Sequence, residues 1–121
     1  MGISKFFVFV AACLAISSVI AQSATDTVKV YGNCGMCKNR IQKSLKVEGV
    51  FKADWNPETK LLIVTYDPAK INNDDIQRKV AAVGHDTEKF MADDKVYEKL
   101  PGCCLYGRKK KNSKEDQPVH Q

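Results

Sequence analysis

The stretch Thr27-Val28-Lys29-Val30-Tyr31-Gly32-Asn33-Cys34-Gly35-Met36-Cys37-Lys38-Asn39-Arg40-Ile41 decides the fold, because the hydrophobic period changes inside it. Up to Tyr31 the chain alternates. Val28 and Val30 share one side and Thr27, Lys29 and Tyr31 the other, as in a strand half buried in a sheet. From Cys37 the apolar residues Cys37, Ile41 and Leu45 recur at every fourth position, the stripe of an amphipathic helix over residues 37–46. Between the two periods lie two thiols spaced C-x-x-C. Unpaired N–H groups and the positive end of the helix dipole favour thiolate there, and Lys38 and Arg40 add charge of the same sign. Such a pair can clamp one soft metal ion, exchange a disulfide, or stand reduced and inert in a loop.

Outward from this junction the pattern continues in order. The first strand covers residues 26–31, and Gly49 ends the first helical segment as a C′ glycine. A second strand over residues 50–56 places Phe51, Ala53 and Trp55 on one face. The turn Asn56-Pro57-Glu58-Thr59 leads into a third strand, residues 61–66, stopped by Asp67-Pro68. Asn73 is expected to cap a second helix with Asp74 and Asp75 in its first turn, the stripe Ile76, Val80, Val83, and Gly84 as its end. Residues 86–90 read as a short fourth strand. The order β-α-β-β-α-β is an α+β, ferredoxin-like arrangement, to which residues 93–100 add a C-terminal helix.

With 121 residues, 44% hydrophobic and 27% charged, the chain has room for one globular domain. The net charge of +5 comes from Arg108, Lys109, Lys110, Lys111 and Lys114, so the folded part is near neutral and no nucleic-acid binding is implied. Residues 107–121 are expected to form a basic, solvated tail. Residues 1–21 have the pattern of an export signal: Lys5, an apolar run from Phe6 to Ile20, and Val19-Ile20-Ala21 before a cleavage point at Gln22. Lipid anchoring through Cys13 is the weaker reading, because an apolar run follows that cysteine. An exported, periplasmic or extracellular protein with no membrane span after cleavage is expected. It keeps Cys34, Cys37, Cys103 and Cys104, two tight pairs in a compartment that tolerates disulfides.

Gly32-Asn33-Cys34-Gly35-Met36-Cys37, Val47-Glu48-Gly49-Val50, Val64-Thr65-Tyr66-Asp67-Pro68 and Ala82-Val83-Gly84-His85-Asp86, in this order, resemble the heavy-metal-associated domain family over residues 25–90. That family includes copper chaperones, ATPase N-terminal domains and periplasmic mercury-binding proteins. The resemblance implies a non-enzymatic module with Cys34 and Cys37 as metal ligands, and Lys38 and Met36 as supporting neighbours. Cu(I) is the first expectation, and Zn(II) and Hg(II) are the alternatives. A metal-transporting ATPase or another metal acceptor is the implied partner. The chain departs from the family in having Gly32-Asn33 before the first cysteine, His85 after the second-helix glycine, and a foreign segment over residues 91–106. In this fold His85 would lie beside the cysteine loop, as a further ligand or a hydrogen-bond donor to it.

Thiolates select soft ions. Two suffice for Cu(I) or Hg(II), whereas Zn(II) takes four ligands. Cys103 and Cys104 are expected to return to the site and complete a set of up to four thiolates suited to Zn(II) or a Cu(I) cluster, with one of them dominating; the alternative is an independent redox or structural pair. The run Leu61-Leu62-Ile63-Val64 is apolar on both strand faces, and Val96 and Leu100 are expected to cover the face the two helices leave open. The competing function is a thioredoxin-like thiol–disulfide oxidoreductase using the same C-x-x-C.

Overall fold

Alternation places Val28, Leu62, Val64 and Trp55 on one side of a sheet, and the computed structural model, which describes residues 22–108, buries all four there. The strands are β1 (Ala24–Lys29), β2 (Val50–Trp55) and β3 (Leu61–Tyr66), antiparallel in the order β1-β3-β2. Cross-strand register sets Val28 against Leu62, and Trp55 against the same leucine from the other side. The expected leader at residues 1–21, with Cys13, and the expected basic tail from residue 109 onward lie outside the described residues.

Two helices cover this face. α1 (Gly35–Ser44) buries Cys37 and Ile41, and Leu45 follows as its C-cap; α2 (Asn73–Ala82) buries Ile76, Gln77, Val80 and Ala81. Each fully buried branched side chain of this kind contributes roughly 1.5–3 kcal/mol of transfer free energy. The cap of α2 is Asn72, one residue earlier than expected: its Oδ1 accepts from the Asp75 N–H at 2.8 Å. Asn73 is engaged instead with the sheet, donating to Asp26 Oδ2 at 2.8 Å and accepting from Gln77.

Other expectations need correction too. Phe51 does not share the buried face with Trp55. A β-bulge between Val50 and Lys52 turns it outward, 59% exposed. Residues 86–90 form no strand. A single bridge joins Val30 to Thr87, after which the Thr87 N–H bonds to the Phe90 carbonyl (2.7 Å) and turns the chain back. Gln77 of α2 fixes that turn by accepting from Thr87 Oγ1 and from the Lys89 N–H. Among the described residues the outer sheet face is left open, with Leu61 and Ile63 38% and 49% exposed.

Leu100 packs on the helical side. A Cβ at Gly84, whose φ is +110°, would meet Leu100 Cδ2 at 2.9 Å, so the helix end and the C-terminal segment share one close contact. The expected third helix is shorter than residues 93–100. It is α3 (Asp94–Glu98), capped by the Asp93 carboxylate, which accepts from the Lys95 N–H at 2.8 Å. A 3₁₀ turn, Gly102–Cys104, follows and packs on α1. The architecture is the α+β, ferredoxin-like one, with its fourth strand reduced to a bridge.

Candidate metal centre

Cys34 is the N-cap of α1, in extended conformation, and Cys37 lies in the first turn. This puts both sulfurs over the unpaired N–H groups of the helix start, 3.7 Å from each other. The Cys37 N–H holds the Cys34 thiol down to about 7, with the Met36 N–H and the Cys103 and Cys37 side chains acting the same way against burial. Cys37 is fully buried and Cys34 half-buried, and the Asn33 N–H donates to Cys37 Sγ at 3.4 Å. One sulfur is anchored and the other is reachable.

The C-terminal segment returns to this point. Cys104 is buried, with its Sγ 3.9 Å from that of Cys34, and the sulfurs of Cys34, Cys37 and Cys104 all lie within 4.8 Å of one another. Burial pushes the Cys104 thiol up to about 12, while the Arg40 guanidinium, donating to its Sγ at 3.4 Å, pulls the other way. Cys103 faces out and donates to Met36 Sδ at 3.4 Å. Its carbonyl accepts from the Cys34 thiol (3.6 Å) and from Asn33 Nδ2 (3.4 Å). Lys38 does not turn to the sulfurs; its ammonium pairs with Asp54 at 3.4 Å.

His85 is not in the sulfur group. It is fully buried, stacks on Tyr106 at 5.5 Å, and makes a 2.9 Å hydrogen bond through Nδ1 to the Tyr31 carbonyl. A carbonyl only accepts, so Nδ1 carries the proton. Burial lowers its pKa below 6.5, with the charge of Arg40 acting in the same sense and the Tyr31 carbonyl and Asp86 opposing. The unfolded chain therefore binds this proton more readily than the folded one. The stability from neutral His85 is complete above about pH 6.5 and is lost as pH falls through the folded pKa, at no more than about 1.4 kcal/mol per pH unit. His85→Phe is expected to flatten that loss. Urea unfolding of both proteins between pH 5 and 7 checks it, and parallel curves would remove the role.

Three residues around the site were hidden from local pattern. Asn33 stood out only as a departure from the family, yet its amide reaches the Cys103 carbonyl. Tyr106 accepts from the Asp86 N–H (2.7 Å) and donates to the Gly84 carbonyl (2.8 Å). Arg108, expected in the solvated tail, forks onto the buried Asp86 with two 2.9 Å bonds. These last two tie down the segment that carries Cys104.

Among known proteins, the chain is 32% identical over 83 residues to the "Mercuric transport protein periplasmic component" of Pseudomonas aeruginosa, covering 67% of this chain and 91% of that one. A "Zinc-transporting ATPase" of Synechocystis is 38% identical over 63 residues, only 9% of its length. Among solved structures, oxidized MerP from Ralstonia metallidurans CH34 superposes with a TM-score of 0.52 at 33% identity, covering 55% of this chain and 96% of that one. The CopZ metallochaperone does so with a TM-score of 0.51 at 29% identity, covering 53% and 98%. Residues 27–86, from within β1 to the buried Asp86, match the heavy-metal-associated domain, and the chain belongs to that family while carrying its second cysteine pair beyond the matched residues.

Proposed function

We propose that this protein is an exported carrier of a soft metal ion, Cu(I) before Hg(II), which it sequesters and hands on through the thiolates of Cys34 and Cys37. The observation that carries this reading is the pair of sulfurs 3.7 Å apart at the start of α1, with the Cys37 N–H aimed at Cys34. Soft thiolates prefer these ions to hard cations. Similarity to periplasmic mercuric transport components over most of their length supports export and metal traffic, and similarity to the "putative copper-ion-binding protein from Bacillus anthracis" supports Cu(I). Among the described residues no helix is long and apolar enough to cross a membrane. Half-buried Cys34 leaves a side from which the thiolates of an acceptor, such as a metal-transporting ATPase, attack the bound ion.

Metal traffic needs no catalytic group, and none is assigned. A thioredoxin-like exchange function is disfavoured by the strand that leads into the motif: in β1 only Val28 is buried, unlike a central strand covered on both faces. The test is Cu(I) titration of the reduced mature protein against a competing chelator. Cys34→Ser with Cys37→Ser is expected to weaken binding by about 100-fold or more while leaving the fold largely intact. Undiminished affinity in the double variant would falsify the assignment.

A further inference from the structure

We propose that the metal site has three sulfurs and not two, with Cys104 as the third ligand to a trigonally coordinated soft ion. This rests on the metal-binding reading above and adds a ligand from outside the family domain. The geometry points to it first. With metal–sulfur bonds of about 2.3 Å, a trigonal site separates its sulfurs by about 4.0 Å, whereas a linear two-sulfur site needs about 4.6 Å. The observed separations are 3.7 Å for Cys34–Cys37 and 3.9 Å for Cys34–Cys104, and all three sulfurs lie within 4.8 Å. Little movement is needed to close them around one ion.

Charge is the second support. Three thiolates on Cu(I) carry two net negative charges, and on Hg(II) one, in a largely buried place where unbalanced charge is costly. Arg40 supplies the opposite charge, its Nη1 donating to Cys104 Sγ at 3.4 Å. Binding displaces the thiol protons to solvent, so each sulfur coordinates as thiolate.

Placement is the third. Adjacent residues 103 and 104 differ in burial: Cys104 is buried toward Cys34, whereas Cys103 is exposed, its Sγ 3.4 Å from Met36 Sδ and 3.9 Å from Cys104 Sγ. The 3₁₀ turn separates them, with the Cys104 N–H bonded to the Pro101 carbonyl at 2.8 Å. Leu100 against Gly84, Tyr106 on Asp86 and Gly84, and Arg108 on Asp86 hold the strap on both sides of that turn. Cys103 Sγ comes within 3.9 Å of Cys104 Sγ but lies outside the group whose sulfurs are all within 4.8 Å of one another, so that group is one sulfur short of the four that Zn(II) prefers, and a three-coordinate ion fits it better.

X-ray absorption of the reduced mature protein with one equivalent of Cu(I) decides the matter. Three sulfurs are expected for the wild type and for Cys103→Ser, and two for Cys104→Ser and Cys104→Ala. The Cys104 variants should also lose about tenfold or more in affinity against a chelator. Two sulfurs in the wild type overturn the third ligand, whether or not any variant folds, and so do three sulfurs in a folded Cys104 variant. Failure of the underlying reading looks different: Cu(I) is then not retained by the wild type, or is retained equally after loss of Cys34 and Cys37.

Discussion

Arg108→Ala is expected to lower the unfolding free energy by about 3–5 kcal/mol, far more than an exposed arginine near a chain terminus would. The reason is the partner left behind. Asp86 is fully buried and receives both forks of the guanidinium at 2.9 Å, together with the Ala92 N–H at 2.7 Å. Arg108 also donates to the Ala92 carbonyl and to Asp94, and lies 4.8 Å over the Tyr97 ring. Its side chain is only 15% exposed, so solvent screens the pair little. Removing the cation strands a buried carboxylate. Replacing both members with leucine should cost less than the single change, because no uncompensated charge remains. Urea unfolding of the two variants measures this. A loss below about 1 kcal/mol for Arg108→Ala would mean that the pair behaves like an ordinary surface ion pair.

The parts of the fold carried by period were legible in the sequence. β3 runs over the expected residues, and α1 buries the stripe of Cys37, Ile41 and Leu45 because side chains four apart share a face. The parts set by single tertiary contacts were not. Phe51 alternates correctly with Trp55, but one inserted residue in β2 turns it out, and a bulge leaves no mark in the hydrophobic pattern. The fourth strand fails because Gln77, on another element, captures Thr87 and turns the chain after one bridge.

At the site, the C-x-x-C pair was legible because strand, thiols and helix are contiguous. The rest depends on long-range geometry. Arg108 reads as the first residue of a basic tail, and nothing nearby in sequence identifies Asp86, 22 residues earlier, as its buried partner. For His85, the position after Gly84 suggested the cysteine loop, whereas the ring turns to the Tyr31 carbonyl and Tyr106. Once Arg108 and Tyr106 clamp the strap, the segment between Leu100 and Tyr106 has few places to lie other than across the start of α1. The anchors of that clamp, Gly84 and Asp86, are far from Cys104 in sequence, yet they govern where it stands.

Trp55→Ala is expected to cost about 3–5 kcal/mol, and the loss should reach the cysteine loop. The indole is fully buried beneath that loop, and its Nε1 donates to the Val30 carbonyl at 3.0 Å. Its ring is also the reason Gly32 stands before the motif. A Cβ on Gly32 would lie 3.0 Å from Trp55 Cη2, 3.1 Å from Cζ2 and 3.2 Å from Cys37 Cβ. A buried ring and a helical Cβ have little room to give, so Gly32→Ala should by itself cost about 1–3 kcal/mol through overpacking. The two substitutions therefore couple. With the indole gone, the added methyl enters the space the ring vacated, and Gly32→Ala in the Trp55→Ala background should be close to neutral. Trp55→Phe separates packing from hydrogen bonding: it keeps most of the ring but leaves the Val30 carbonyl without its donor, for a loss of about 1–3 kcal/mol. Unfolding free energies of the four proteins in the Gly32/Trp55 cycle give the coupling directly. Additive losses would show that the loop does not rest on the indole, and that contact with the ring is not what requires glycine at position 32.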